Sequence, residues 1–220
     1  SDPVLKEYGD GETVTRHDYS SGTSEMETFG SSGAKRRAAM EIVQFQTLLD
    51  NATEHARPKI IALDDENKKK MVVFLGSRGG ADTANDQALY YAVHDGTAWS
   101  MPKIVANDGT VDAAPEVLRK DGKVIVAWAD ANRAFTDTDT SVQKLNAMGI
   151  SLAVYDIAAK TMGEEVTLVD DNYFNLAPQI NMDGTNIYVS YMKRDLATVE
   201  KETDLLDVEK VYSAMAYKTY

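Results

Sequence analysis

The sequence predicts an all-β protein, a propeller-like array of four-stranded antiparallel blades with about 57–63 residues per repeat. A recurring proline is the first sign: Asp50-Asn-Ala-Thr-Glu-His-Ala-Arg-Pro58-Lys-Ile returns as Asp108-Gly-Thr-Val-Asp-Ala-Ala-Pro115-Glu-Val and again as Asp170-Asp-Asn-Tyr-Phe-Asn-Leu-Ala-Pro178-Gln-Ile. Pro115 lies 57 residues after Pro58, and Pro178 lies 63 after Pro115. The same order of short strands follows each proline, and no 10–15-residue amphipathic segment separates them, which argues against a parallel α/β sheet.

Each repeat begins with a short strand closed by a turn at Asp64-Asp65, Asp121-Gly122 or Asp183-Gly184, a hairpin signal. Its second strand is Met71-Val-Val-Phe-Leu75, Val124-Ile-Val-Ala-Trp128 or Ile187-Tyr-Val-Ser-Tyr191, rich in the β-branched and aromatic residues that suit a pleated surface. Burial is expected to alternate along it, with Val126 and Trp128 covered. The third strand is Leu89–Val93, Ser151–Tyr155 or Tyr212–Tyr217, and Ala92, Ala153 and Ala216 fall 34, 38 and 38 residues after their prolines. A fourth, around Lys103–Val105 and Val166–Val169, leads into the next repeat. The domain expectation is an irregular N-terminal segment over 1–37, then a repeat domain over 38–220 made of a blade remnant at 38–55 and repeats at 56–112, 113–175 and 176–220. At this period 220 residues supply fewer than four blades, so the ring is expected to be incomplete, with an irregular four-bladed ring second. An open sheet edge then becomes a surface for self-association.

Composition narrows the partners. The chain has 35 acidic and 23 basic residues, a net charge of -12, which repels a phosphate backbone and excludes nucleic acid as a partner. Without cysteine there are no disulfides, thiolate metal sites or cysteine nucleophiles. No stretch reaches the ~20 apolar residues of a membrane span, and Ser1 opens no retained leader.

The run Leu89-Tyr-Tyr-Ala-Val-His-Asp-Gly-Thr-Ala-Trp-Ser-Met-Pro102, followed by Asp108-Gly-Thr and Ala114-Pro115, resembles the blade repeats of sialidase-like propellers of bacterial secreted and surface proteins. The resemblance covers residues 38–220. Asp95, Gly96 and Trp99 approximate the Asp-box turn of that family but lack its serine, and Asp156-Ile-Ala-Ala-Lys-Thr-Met-Gly163 keeps only the aspartate. It implies a propeller fold and an extracellular or cell-surface location. Sialidases of this architecture bind a carboxylate through three arginines and use a tyrosine paired with a glutamate; Ala56-Arg57-Pro58-Lys59-Ile60 departs from their first arginine motif.

The residues themselves nominate a ligand-binding set. Arg78, Arg133 and Arg194 each follow a second strand by three to five residues, and convergent guanidinium groups grip a carboxylate or sulfate bidentately. The competing reading has each capping its own blade through Asp82, Asp130 or Asp195. They lie in the long segments 76–88, 129–149 and 192–209, where a rigid scaffold carries its variable recognition loops. Tyr173, in a loop entering a repeat, is the exposed candidate for stacking on a sugar ring. Asp130, Asp137 and Asp139 have oxygen-rich spacing compatible with calcium, against a solvated acidic loop; no other cofactor is expected. His17, His55 and His94 are scattered singly, and no GxSxG, phosphate-loop or dinucleotide motif occurs. The expectation is a secreted or cell-surface binding or scaffolding module for carbohydrate or protein. A sialidase-like glycoside hydrolase and a purely structural spacer are the alternatives.

Overall fold

A computed structural model describes residues 6–9, 13–18, 23–28, 56–79, 84–200, 202–206 and 212–220. The blade remnant at 38–55, His55 and Asp82 lie outside the described residues. The chain divides into two compact units, Ser1–Leu49 and Asp50–Tyr220.

In the first unit, the segment expected to be irregular contains a three-stranded antiparallel meander of β1 (Lys6–Gly9), β2 (Thr13–Asp18) and β3 (Thr23–Thr28). Its strands are rich in Thr, Glu and Ser, so β-propensity is present without the apolar run that reveals a strand in sequence. His17 lies on β2.

The second unit holds three antiparallel sheets. The first comprises β4 (Lys59–Ala62), β5 (Lys70–Ser77), β6 (Gln87–His94) and β7 (Lys103–Ile104) in that order. In the second, β8 (Asp112–Lys120), β9 (Lys123–Ala131) and β10 (Met148–Asp156) are flanked by β11 (Thr161–Met162) and β12 (Val166–Val169), both paired with β10. The third comprises β13 (Phe174–Asp183), β14 (Asn186–Asp195) and β15 (Tyr212–Thr219). A short helix, α1 (Ser141–Asn146), interrupts the long loop after β9 and is started by a Thr140–Gln143 capping box. The all-β, propeller-like architecture is therefore present in these three sheets.

Ladder register corrects the alignment of the repeats. Lys59, Glu116 and Gln179, which follow the recurring prolines, pair with Val73, Ala127 and Ser190. Met71 thus corresponds to Ile125 and Tyr188, and the sequence alignment on Val124 and Ile187 is one residue out of step in the first repeat. The cause is a longer connection between β4 and β5, where the second sheet has a two-residue turn at Asp121 (φ 50) and Gly122 (φ 74) suited to a tight hairpin. Because side chains alternate with period two, a slip of one exchanges the faces of a strand. The third-strand alanines are out of step by two in the last repeat, since Ala216 pairs with Tyr191 while Ala92 and Ala153 pair with Val72 and Val126, and that slip preserves the face.

Two cores result, one on each side of the middle sheet. Met71, Val73 and Leu75 of β5 pack with Val124, Val126 and Trp128 of β9. Ile125, Ala127 and Ala129, from the opposite face of β9, pack with Ile187, Val189 and Tyr191 of β14. Burial therefore does not alternate along β9, where every residue after Lys123 is buried, but it does along β14 from Asn186 to Met192. Val126 and Trp128 are both fully covered, as expected.

Trp128→Ala is expected to cost about 3–5 kcal/mol through the cavity it leaves, read as a lowered urea midpoint at unchanged slope. Gly149→Ala should also destabilise, by about 1–3 kcal/mol. Its added Cβ would sit 2.1 Å from the Val169 carbonyl oxygen and push β12 away from β10; faster hydrogen exchange confined to β12 would report this.

Candidate functional site

The recurring proline does more than mark a repeat. In the second sheet, Ala113 pairs with Ala129 and Glu116 with Ala127, so Ala114 and Pro115 together face the single residue Trp128. In the third sheet, Ala177 and Pro178 face Tyr191 in the same manner. In the first, the Leu75 N–H donates to the Ala56 carbonyl while Lys59 pairs with Val73, which sets Arg57 and Pro58 opposite Phe74. Each innermost strand thus carries a β-bulge opposite an aromatic residue. The residue before each proline has a left-handed backbone: Arg57 φ 43, Ala114 φ 46 and Ala177 φ 52. Such a backbone is uncommon outside glycine, and bulges characteristically re-aim side chains.

The three bulges line one pocket of about 300 Å³, bounded by Arg57-Pro58-Lys59, Ala114-Pro115-Glu116 and Ala177-Pro178-Gln179. Lys59, Glu116 and Gln179, the residue after each proline, meet there. Lys59 Nζ lies 3.1 Å from Glu116 Oε2, and Gln179 Nε2 donates to the same oxygen at 3.2 Å. Glu116 Oε1 accepts from the Val117 N–H at 3.1 Å. The Arg57 guanidinium has neither hydrogen bond nor ion pair among the described residues. Sequence reasoning missed Lys59, Glu116 and Gln179, because their types differ between repeats. The available signal was position, since each follows the recurring proline.

The nominated arginines sit elsewhere and at three different registers. Arg78 follows Val72 by six residues, Arg133 follows Val126 by seven and Arg194 follows Val189 by five, so Arg78 and Arg194 have opposite strand parity. Arg78 Nη1 donates to the carbonyls of Asn85 at 2.6 Å and Gln87 at 3.1 Å, with Asp108 3.9 Å from Nη2. Arg133 grips Asp139 bidentately at 2.8 and 3.0 Å. Among the described residues Arg78 and Arg133 are thus held within their own repeats, Arg133 by Asp139 rather than Asp130, while Asp82 lies outside the described residues. Arg194 is half-buried, and its Nε has no hydrogen-bond partner among the described residues. Tyr173 is 36% exposed and has Lys193 Nζ 4.0 Å from its ring centre, with Lys193 anchored on Asp171 at 2.6 Å.

Of the acidic trio Asp130, Asp137 and Asp139, only Asp130 joins a cluster among the described residues. Its companions are Asp108 and Glu165, with carboxylate oxygens within 4.8 Å of one another. Asp137 and Asp139 do not join them, because the loop folds back on Arg133, whose guanidinium holds the Asp139 carboxyl well below the usual carboxylate range. The cluster opens on a cavity of about 550 Å³ that Thr110, Asn132, Thr167 and Asp170 also line. Asp130 is buried and accepts from Thr110 Oγ1 at 3.1 Å and Ser151 Oγ at 2.7 Å. Burial, reinforced by a hydrogen bond with Glu165, pushes its pKa up to about 9. Burial likewise raises Asp112, behind it, to about 7. Burial therefore favours the protonated form of Asp130. Asp108, Asp130 and Glu165 are the oxygens that could hold a divalent cation, which would have to displace that proton.

The sequence matches no known protein family and no curated protein. Its fold is similar to that of solved carbohydrate-active enzymes. The α-L-arabinanase of Penicillium chrysogenum, solved with arabinobiose, superposes with a TM-score of 0.50 at 11% identity over 94% of this chain and 54% of the enzyme. The α-L-arabinofuranosidase of Lactobacillus brevis gives 0.41 at 12% identity, covering 92% of this chain and 64% of that one. Trypanosoma rangeli sialidase gives 0.41 at 11% identity, covering 99% and 36%. The chain spans about half the length of the arabinanase. The arabinanase likeness bears on the fold, which is propeller-like and not specifically that of Asp-box repeats.

The buried acid makes a testable pH dependence. Asp130 has a folded pKa of about 9, against about 4 in an unfolded chain, so the folded state binds the extra proton between these values. Stability should then fall as pH rises through that window. Asp130→Asn, which keeps the hydroxyl contacts without ionising, is expected to flatten the decline in thermal midpoint measured from about pH 5 to about pH 9.

Proposed function

We propose that this protein is a carbohydrate-binding module whose ligand enters the pocket between the three bulged strands. The observation that carries this reading is the convergence of Lys59, Glu116 and Gln179, each placed by the same bulge in its own repeat. Three strained backbone positions around one cavity are a cost, about 1–3 kcal/mol each, that a purely structural spacer has no need to carry. The polar groups at the pocket offer both donors and acceptors to sugar hydroxyls. Arg57 contributes a positive charge that the described residues leave unpaired, which favours a glycan bearing a carboxylate or sulfate. The arabinanase solved with arabinobiose lends the sugar reading support through shared fold. We place the protein outside the cell or on its surface, where polymeric glycans are met.

Binding is favoured over hydrolysis because glycoside cleavage ordinarily uses two carboxyl groups flanking the scissile bond. Glu116 is the one carboxylate among the described residues lining this pocket, and Lys59, Gln179 and the Val117 N–H already hold it.

A glycan array followed by calorimetry tests the proposal. An acidic oligosaccharide is expected to bind, and Arg57→Ala should weaken it by the loss of a charge-assisted contact of about 1.5–3 kcal/mol, roughly ten- to a hundredfold in affinity. Binding unaffected by substitutions at Arg57, Lys59 and Glu116 would move the site elsewhere. Release of reducing sugar that is lost in Glu116→Gln would make the protein a glycoside hydrolase instead.

A further inference from the structure

The outer edge of the third sheet differs from its two counterparts. In the first sheet β7 pairs with β6, and in the second β11 and β12 pair with β10. In the third, no described residue pairs with the outer side of β15. The ladder between β14 and β15 runs from Tyr188–Thr219 to Asp195–Tyr212 without a bulge, so this edge is regular.

Hydrogen-bond parity identifies what the edge presents. Ile187 and Tyr220 exchange both N–H···O bonds at 2.8 Å. By antiparallel alternation, residues 212, 214, 216 and 218 direct their backbone groups toward β14, whereas Ser213, Met215, Tyr217 and Thr219 direct theirs outward. The side chains of these four lie on the face turned away from the second sheet, since the intervening Ala216 packs into the core with Val189 and Tyr191. Met215 is 80% exposed and Tyr217 68%. None of the four is charged, in a chain of which 26% is charged, and the edge carries no proline. The one charge on β15 is Lys218, whose backbone is directed toward β14, so the four outward-directed residues carry none of the charge or proline that usually blocks edge pairing.

We propose that β15 pairs antiparallel with β15 of a second copy of this chain, about a twofold axis at Ala216, to make one continuous sheet across the dimer. That register is singled out by the sequence of the edge. Centred on Ala216, Met215 lies opposite the partner's Tyr217, and Ser213 lies opposite the partner's Thr219. All four outward-facing residues then find hydrogen-bonded counterparts. Centring the axis one or two residues to either side leaves at least one of them unmatched within the strand. The apolar pair meets an apolar pair, the hydroxyl pair meets a hydroxyl pair, and no like charges oppose. The ladder of the third sheet simply continues, as it does through β7 and β12 in the other two. A closed, isologous contact of this kind stops at two copies.

The absence of native cysteine makes the register directly readable. In sedimentation velocity of the full chain, a species of twice the monomer mass is expected to grow with concentration. Met215→Lys/Tyr217→Lys should be monomeric throughout, with unchanged circular dichroism. Opposed residues of a hydrogen-bonded pair have Cα atoms about 5.5 Å apart, inside the roughly 4.4–6.8 Å that a disulfide spans. Oxidising a mixture of Met215→Cys and Tyr217→Cys chains should therefore give the cross-linked heterodimer, and each variant alone should give far less. A wild-type chain that stays monomeric overturns the proposal. So does a dimer that survives the double-lysine substitution, or cross-linking that does not favour the mixed pair.

Discussion

Each of the three sheets begins with one residue too many. Opposite Phe74, Trp128 and Tyr191 the innermost strand places two residues where the ladder has room for one, and the first of the two takes a left-handed backbone. Proline suits the second place because it has no N–H to leave unpaired. The aromatic side chain opposite is buried in all three cases, so the strained backbone rests against a large packed surface. From this constraint follow the direction of the next side chain, the pocket between the sheets and the register of everything outward of it.

The same register explains why the middle sheet is the most completely buried. Its two faces serve different neighbours, with Val124, Val126 and Trp128 on one side and Ile125, Ala127 and Ala129 on the other. Small residues on the second face let the third sheet approach with Tyr191, while the larger Trp128 fills the first. The third sheet is covered on one face by this arrangement. Its other face and outer strand carry Met215 and Tyr217 in the open.

Charge is distributed with a similar division of labour. Arg78 and Arg133 hold together the loops beyond the second strands, and burial favours the neutral form of Asp130. Around the pocket, by contrast, Lys59 and Glu116 neutralise each other and Arg57 is left over among the described residues. In a chain of net charge -12, this leaves a local positive charge at a concave polar site.

The sequence by itself determined the repeating all-β architecture, because prolines, hairpin turns and β-branched runs act locally and recur at a readable interval. It also determined that Val126 and Trp128 are core. It could not determine which face of a strand meets which neighbour, since one residue more or less in the β4–β5 connection exchanges the faces, and a loop length is not visible in strand composition. For the same reason Lys59, Glu116 and Gln179, three unlike side chains separated by 57 and 63 residues, gave no shared motif. Only the packing of three bulged strands around one cavity brought them together. Arg78, Arg133 and Arg194 form the opposite case: alike in type and near in alignment, they stand at three different registers, because the loop beyond each strand end, not chemical kind, decides what Arg78 and Arg133 meet.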